Sequence, residues 1–140
     1  MNTKEIIKRW VPVKWLPANL MVKSLRDDLE GLNIVLYESE QDIHDITDVF
    51  VISFAQHYGY RNLDESFHLK TWGDFPVLLE DWSLFLTKSG DFIDSFNLLS
   101  FNIYKDDIVN YIIATPNDVI EVIAHKDCNI VITKEKLTPI

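Results

Sequence analysis

Cysteine occurs once, at Cys128, so no intrachain disulfide can form and an oxidising compartment is not implied. No apolar run approaches the roughly 20 residues that a membrane-crossing helix needs. The longest stretch, residues 108–124, is broken by Asn110, Pro116, Asn117, Asp118 and Glu121. Residues 1–10 lack the uninterrupted apolar region of a signal peptide, so the expectation is a soluble, cytoplasmic chain without membrane contact. Glycine (four) and proline (five) are too sparse for a disordered or low-complexity chain. The catalytic signatures are missing too: there is no glycine-rich phosphate loop, Gly-x-Ser-x-Gly elbow, Cys-x-x-Cys pair or histidine pair at i, i+4.

What is present is material for one core. The 140 residues are 47% hydrophobic and 12% aromatic, which suits a single domain over 1–140. Pro12 and Pro17 break up residues 1–20, where a short helix over 4–9 is possible. Trp10, Val13, Trp15 and Leu16 are expected to pin this partly irregular segment to the domain.

Residues 32–39 read as a strand after a turn at 27–31. Residues 46–55 read as a second strand, with Ile46, Asp48, Phe50, Ile52 and Phe54 on one face. Residues 63–72 read as irregular or a short helix, and 82–87 as a third strand. Ser89 is the expected N-cap of a helix over about 90–100, in which Phe92, Ile93, Phe96 and Leu99 recur at helical spacing with Leu98 beside them. Residues 108–115 form a fourth strand. Thr115-Pro116-Asn117-Asp118 is either a hairpin turn or a helix start with Pro116 in the first turn; the β-branched run 119–123 favours the turn and a fifth strand to 124. After a turn at 125–128, residues 129–133 make a sixth. The expected fold is α+β: one antiparallel sheet of five or six strands with the main helix on one face.

Three residue groups invite a chemical reading. His125-Lys126-Asp127-Cys128 spaces two ligand types but supplies no third, and reads as a polar turn with a half-buried thiol. A Cys128–His pair would be needed for nucleophilic catalysis. Adjacent acids such as Asp27-Asp28 and Asp106-Asp107 read as solvated caps rather than a glycosidase dyad. The expectation is no enzyme, cofactor or metal.

Charge carries more information. The net charge of −9 is uneven: residues 1–26 hold six Lys/Arg against one Glu, and residues 27–121 hold four against 19 Asp/Glu. So acidic a centre repels phosphate backbones, which argues against nucleic acid as a partner. Within it, Glu38, Glu40, Asp42, Asp45 and Asp48 put five acids and no base into eleven residues between two expected strands. This segment is either a solvated hairpin end or a docking face for a basic protein. A second segment, Tyr58-Gly59-Tyr60-Arg61-Asn62-Leu63-Asp64-Glu65, gathers interface-type residues in Tyr58, Tyr60 and Arg61 beside Asp64 and Glu65. It is either a contact patch or a turn in which Arg61 pairs locally with Asp64 or Glu65.

At Tyr58-Gly59-Tyr60-Arg61-Asn62-Leu63-Asp64-Glu65 and at Tyr111-Ile112-Ile113-Ala114-Thr115-Pro116-Asn117-Asp118-Val119-Ile120-Glu121-Val122 the chain resembles small bacterial immunity proteins of polymorphic-toxin and contact-dependent inhibition systems. The resemblance spans about residues 50–124. It implies a role class, the neutralisation of a cognate toxin protein by tight non-covalent binding, and transfers no binding residue. With the charge, the expected partner is a basic, nuclease-like toxin domain. The alternative is an adaptor that self-associates, for example as a homodimer, through a sheet edge.

Overall fold

The computed structural model describes residues 7–64 and 81–137. Among them the chain is mostly antiparallel sheet with one short helix, roughly α+β. It builds two sheets where a single one was expected. The strands are β1 (Lys8–Arg9), β2 (Leu20–Asp28), β3 (Gly31–Glu38), β4 (Asp48–Phe54), β5 (Gly59–Asp64), β6 (Leu84–Thr87), β7 (Ile108–Ala114), β8 (Asp118–His125) and β9 (Ile130–Lys136); helix α1 is Asp91–Leu99. One sheet has the order β1-β6-β7-β8-β5 and the other β2-β3-β4-β9, with every pairing antiparallel.

The two sheets face each other across the main core. Leu32, Ile34, Leu36, Phe50, Ile52 and Phe54 from one meet Leu84, Val109, Tyr111, Ile113, Ile120 and Val122 from the other. Strand alternation then leaves a second set of side chains on each outer face. Outside β3 and β4, Tyr37, Ile46 and Val49 cluster. Outside β7 and β8, Ile108 and Ile123 pack under Ile93 of α1. Trp10 closes the core from the amino-terminal side, its ring 4.8 Å from that of Tyr111.

The expected strands divide between the sheets, β3, β4 and β9 in one and β6, β7 and β8 in the other, and the unexpected β2 and β5 each add an edge strand to a different sheet. β2 has no clean alternation because Lys23 is an extra residue: Val22 pairs with Leu36 and Ser24 with Val35. A bulge of this kind shifts the side-chain parity in mid-strand and hides the period of two. The expected turn over 27–31 shrinks to Leu29 and Glu30, since Asp27 and Asp28 belong to β2 and Gly31 opens β3. Gly31 sits at φ 113°, and a Cβ there would lie 2.5 Å from the Phe54 carbonyl oxygen, so only glycine fits. β5 lies in the segment 58–65, for which the alternatives were a contact patch or a turn; Gly59 to Asp64 pair along Ile123 to Asp118 as strand. Of the irregular or helical reading over 63–72, Leu63 and Asp64 end β5, while 65–72 lie outside the described residues.

Smaller corrections follow the same logic. Lys8 and Arg9 pair with Leu86 and Phe85 as strand, not helix; residues 4–6 lie outside the described residues. Ile46 falls in the outer cluster because a 3-10 turn over Ile43–Asp45 resets the parity before β4 begins. Gly90, not Ser89, is the N-cap of α1, and the Ser89 amide donates instead to Thr87 Oγ1. Leu99, one of the apolar residues recurring at helical spacing, is 81% exposed. Residues 115–118 are a hairpin turn rather than a helix start: the Thr115 amide and hydroxyl both donate to the Asp118 carbonyl, at 2.9 and 3.0 Å.

Candidate functional site

The acidic segment connects β3 to β4. Glu38 ends β3 and is partly exposed, Glu40, Asp42 and Asp45 are exposed, and Asp48 begins β4. The turn is built by Asp42, whose carboxylate accepts from the His44 amide at 2.9 Å and caps the 3-10 turn. Asp48 is the one acid of the five with a cation partner among the described residues, Lys134 on β9, at 3.9 Å. Glu38, Glu40 and Asp45 have none there. Four carboxylates thus share one sheet corner without a cation partner among the described residues, Asp42 being engaged only by the His44 amide.

The second segment lies elsewhere. β4 runs seven residues from Asp48 to Phe54, roughly 20 Å at strand rise, before the chain reaches Tyr58. The two sequence-predicted segments are therefore at opposite ends of β4 and do not form one constellation. At the far end, Tyr58 stacks on Tyr104 (centroids 4.6 Å apart) and on Phe96 of α1 (5.5 Å). Its hydroxyl pKa is raised, first by burial and then by Tyr104, Asp107 and Cys128 nearby. Tyr60, in β5, has its ring 5.9 Å from that of His57. Asp64 faces Asp118 across the β5–β8 pairing. Glu65 lies outside the described residues.

Among the described residues Arg61 pairs away from its own segment. Its side chain is directed across β8 to Glu121 and up to Asp91 at the start of α1 (3.2 Å), with the guanidinium 4.5 Å from the Phe92 ring centre. Burial pulls the Arg61 pKa down, but the hydrogen bond and charge of Glu121, then Asp91, outweigh it and hold it above its ordinary value. Glu121 is buried and also accepts from Asn110 Nδ2 at 3.0 Å. The fixed geometry identifies Arg61 as a clamp between sheet and helix. Sequence reasoning missed Glu121 and Asn110. Their signal was available: they are the polar residues within the two apolar strands of one hairpin, and the 115–118 turn sets a register that brings them to the same face.

Between the β4–β5 connection and the turn after β8 lies an open cavity of about 570 Å³, lined by Gln56, Tyr58, His125, Cys128 and Asn129 among others. The Cys128 thiol donates to the Gln56 carbonyl at 2.8 Å. His125 Nδ1 accepts from the Asp127 amide at 3.0 Å. Both groups are thus engaged with backbone in a turn. Among the described residues no three His, Cys, Asp or Glu side chains are grouped to hold a metal ion, and no helix is long and apolar enough to cross a membrane. No protein-family model, curated protein or solved structure matches the chain.

Proposed function

We propose that this chain is a non-catalytic binding protein of immunity type, which neutralises a basic, nuclease-like toxin domain by occupying it. The observation that carries the reading is the β3–β4 corner, where Glu38, Glu40 and Asp45 stand without a cation partner among the described residues. Such a corner is repelled by its own charges and by nucleic acid, and a basic protein surface relieves the repulsion. A cytoplasmic location, with no direct contact to nucleic acid or membrane, belongs to the same reading. Against the self-associating alternative, edge strand β2 carries the Lys23 bulge, and edge strand β9 ends in Lys134-Glu135-Lys136. Both devices blunt strand-to-strand pairing.

The test is the triple variant Glu40→Gln, Asp42→Asn, Asp45→Asn. Asn at position 42 still accepts the His44 amide, so the 3-10 turn keeps its cap. The variant should melt at or slightly above the wild-type temperature, because repulsion is removed and no packing is lost. Its protection against the toxin should fall, by about tenfold in affinity for each close charge pair lost. A variant that protects fully removes this corner from the binding site.

A further inference from the structure

Helix α1 ends in a turn whose chemistry is at odds with its sequence. The Asn102 amide donates to the Asn97 carbonyl at 2.8 Å and the Phe101 amide to that of Leu98 at 3.5 Å. This bonding pattern is the Schellman terminus, which puts the residue after the C-cap into the left-handed region. Here that residue is Phe101, at φ 55°, followed by Asn102 at φ 60°. Glycine takes the position without penalty, whereas a Cβ crowds the following carbonyl. No packing offsets the strain, because Phe101 is 88% exposed.

Its neighbours are equally unrewarded by the fold. Leu98, Leu99 and Ile103 are 78%, 81% and 68% exposed. Together the four side chains present on the order of 600 Å² of apolar surface, the upper limit for the largest patch of an ordinary monomer. A standard interface takes about 800 Å² from each partner. The exposed part of Tyr58, stacked on Tyr104 just beyond the turn, extends the patch toward that figure.

We propose that residues 98–103 are the apolar anchor by which the chain grips a basic protein presenting an apolar cleft. This rests on the binding-protein reading above and names its contact surface. The charge around the patch selects the occupant. Of the four Asp between Asp91 and Asp107, Asp91 and Asp107 are engaged by Arg61 and Lys126, while Asp94 and Asp106, which outnumber Lys105, have no ion-pair partner among the described residues. A second copy of a −9 chain would bring like charges together at this rim, whereas a basic partner would pair with them. The anchor stands at the end of β4 opposite the β3–β4 corner. A partner that spans β4 meets both: charge pairs at the corner steer association and add affinity, and the anchor sets most of the dissociation rate.

The test places the photo-cross-linker p-benzoylphenylalanine at Leu99, and separately at Glu40, in the full chain within its source cells. The protein cross-linked at Leu99 is identified, purified and used as the probe in binding kinetics. The expected protein has an excess of Lys and Arg, and Phe101→Gly should leave it about 30-fold faster, as loss of a hot-spot residue does, with association unchanged. Leu99→Ser, on the exposed helix face, should act in the same direction. Phe101→Gly should also melt at a higher temperature than the wild type, since strain is relieved where nothing packs. A cross-link to a second copy or to an acidic protein overturns the proposal, as does an unchanged dissociation rate or a lower melting temperature for Phe101→Gly. A basic protein cross-linked from Glu40 but not from Leu99 overturns the anchor and leaves the binding-protein reading standing. No basic protein from either position removes both.

Discussion

Replacing Arg61 with Met takes a cation from between two carboxylates while keeping an unbranched side chain that can lie on Phe92. The damage is set by what remains. The Glu121 side chain is 9% exposed, and without Arg61 its charge retains a single side-chain donor, Asn110 Nδ2 at 3.0 Å. Removing one partner of a buried ion pair costs about 3–5 kcal/mol, and the 29% exposure of Arg61 places this case at the lower end, at about 3 kcal/mol. For a chain of this length that corresponds to a fall of roughly 10 °C in Tm. The Arg61→Met, Glu121→Met double variant should regain most of the loss, because two packed apolar side chains replace the pair and no charge is left buried. Thermal and urea denaturation of the wild type, both single variants and the double variant complete the cycle. Single-variant losses under about 1 kcal/mol that simply add in the double variant would refute the clamp, since independent sites add and coupled ones do not.

Two further outcomes follow from the core and the lone thiol. The Tyr111 hydroxyl pKa is raised above 10.0 by burial and then by Cys128, so above that pH the unfolded chain loses its phenol proton first and stability falls toward the folded-state value. The urea midpoint should drop between pH 9 and pH 11, and Tyr111→Phe should shrink the drop; an equal drop in both proteins would contradict the assignment. Cys128→Ser keeps a donor for the Gln56 carbonyl, so it should change stability by no more than about 1 kcal/mol and leave partner binding intact. Complete loss of protective activity in a folded Cys128→Ser protein would point to covalent chemistry at the thiol.

The parts of the fold that were legible in the sequence are those where local chemistry and tertiary context agree. The β7–β8 hairpin is an example: β-branched runs flank Thr115-Pro116-Asn117-Asp118, and the turn side chain of Thr115 closes it. β2 was not legible, because the Lys23 bulge cancels its period; nor was the division of the expected strands between two sheets, because local patterning does not say which strands pair. β5 was masked by its composition: Gly59, Asn62 and Asp64 are turn residues by propensity, held as strand by pairing with β8. At the candidate site the acidic corner was readable as a cluster of like charges, and its separation from Tyr58 follows from the strand expected over 46–55, found as β4. Arg61 was misread because its partners, Glu121 and Asp91, are distant in sequence. The exposed turn after α1 did leave a trace. No glycine follows Gly90, so any left-handed terminus of that helix had to fall on a residue with a side chain.

The most direct measurement of the central claim is growth of a bacterial host that expresses the basic protein identified by cross-linking to this chain, with and without the chain itself. The binding-protein account predicts that the wild-type chain restores growth and that the Glu40→Gln, Asp42→Asn, Asp45→Asn variant, folded and equally abundant, restores it poorly. Growth arrest that the wild-type chain leaves unrelieved would contradict it.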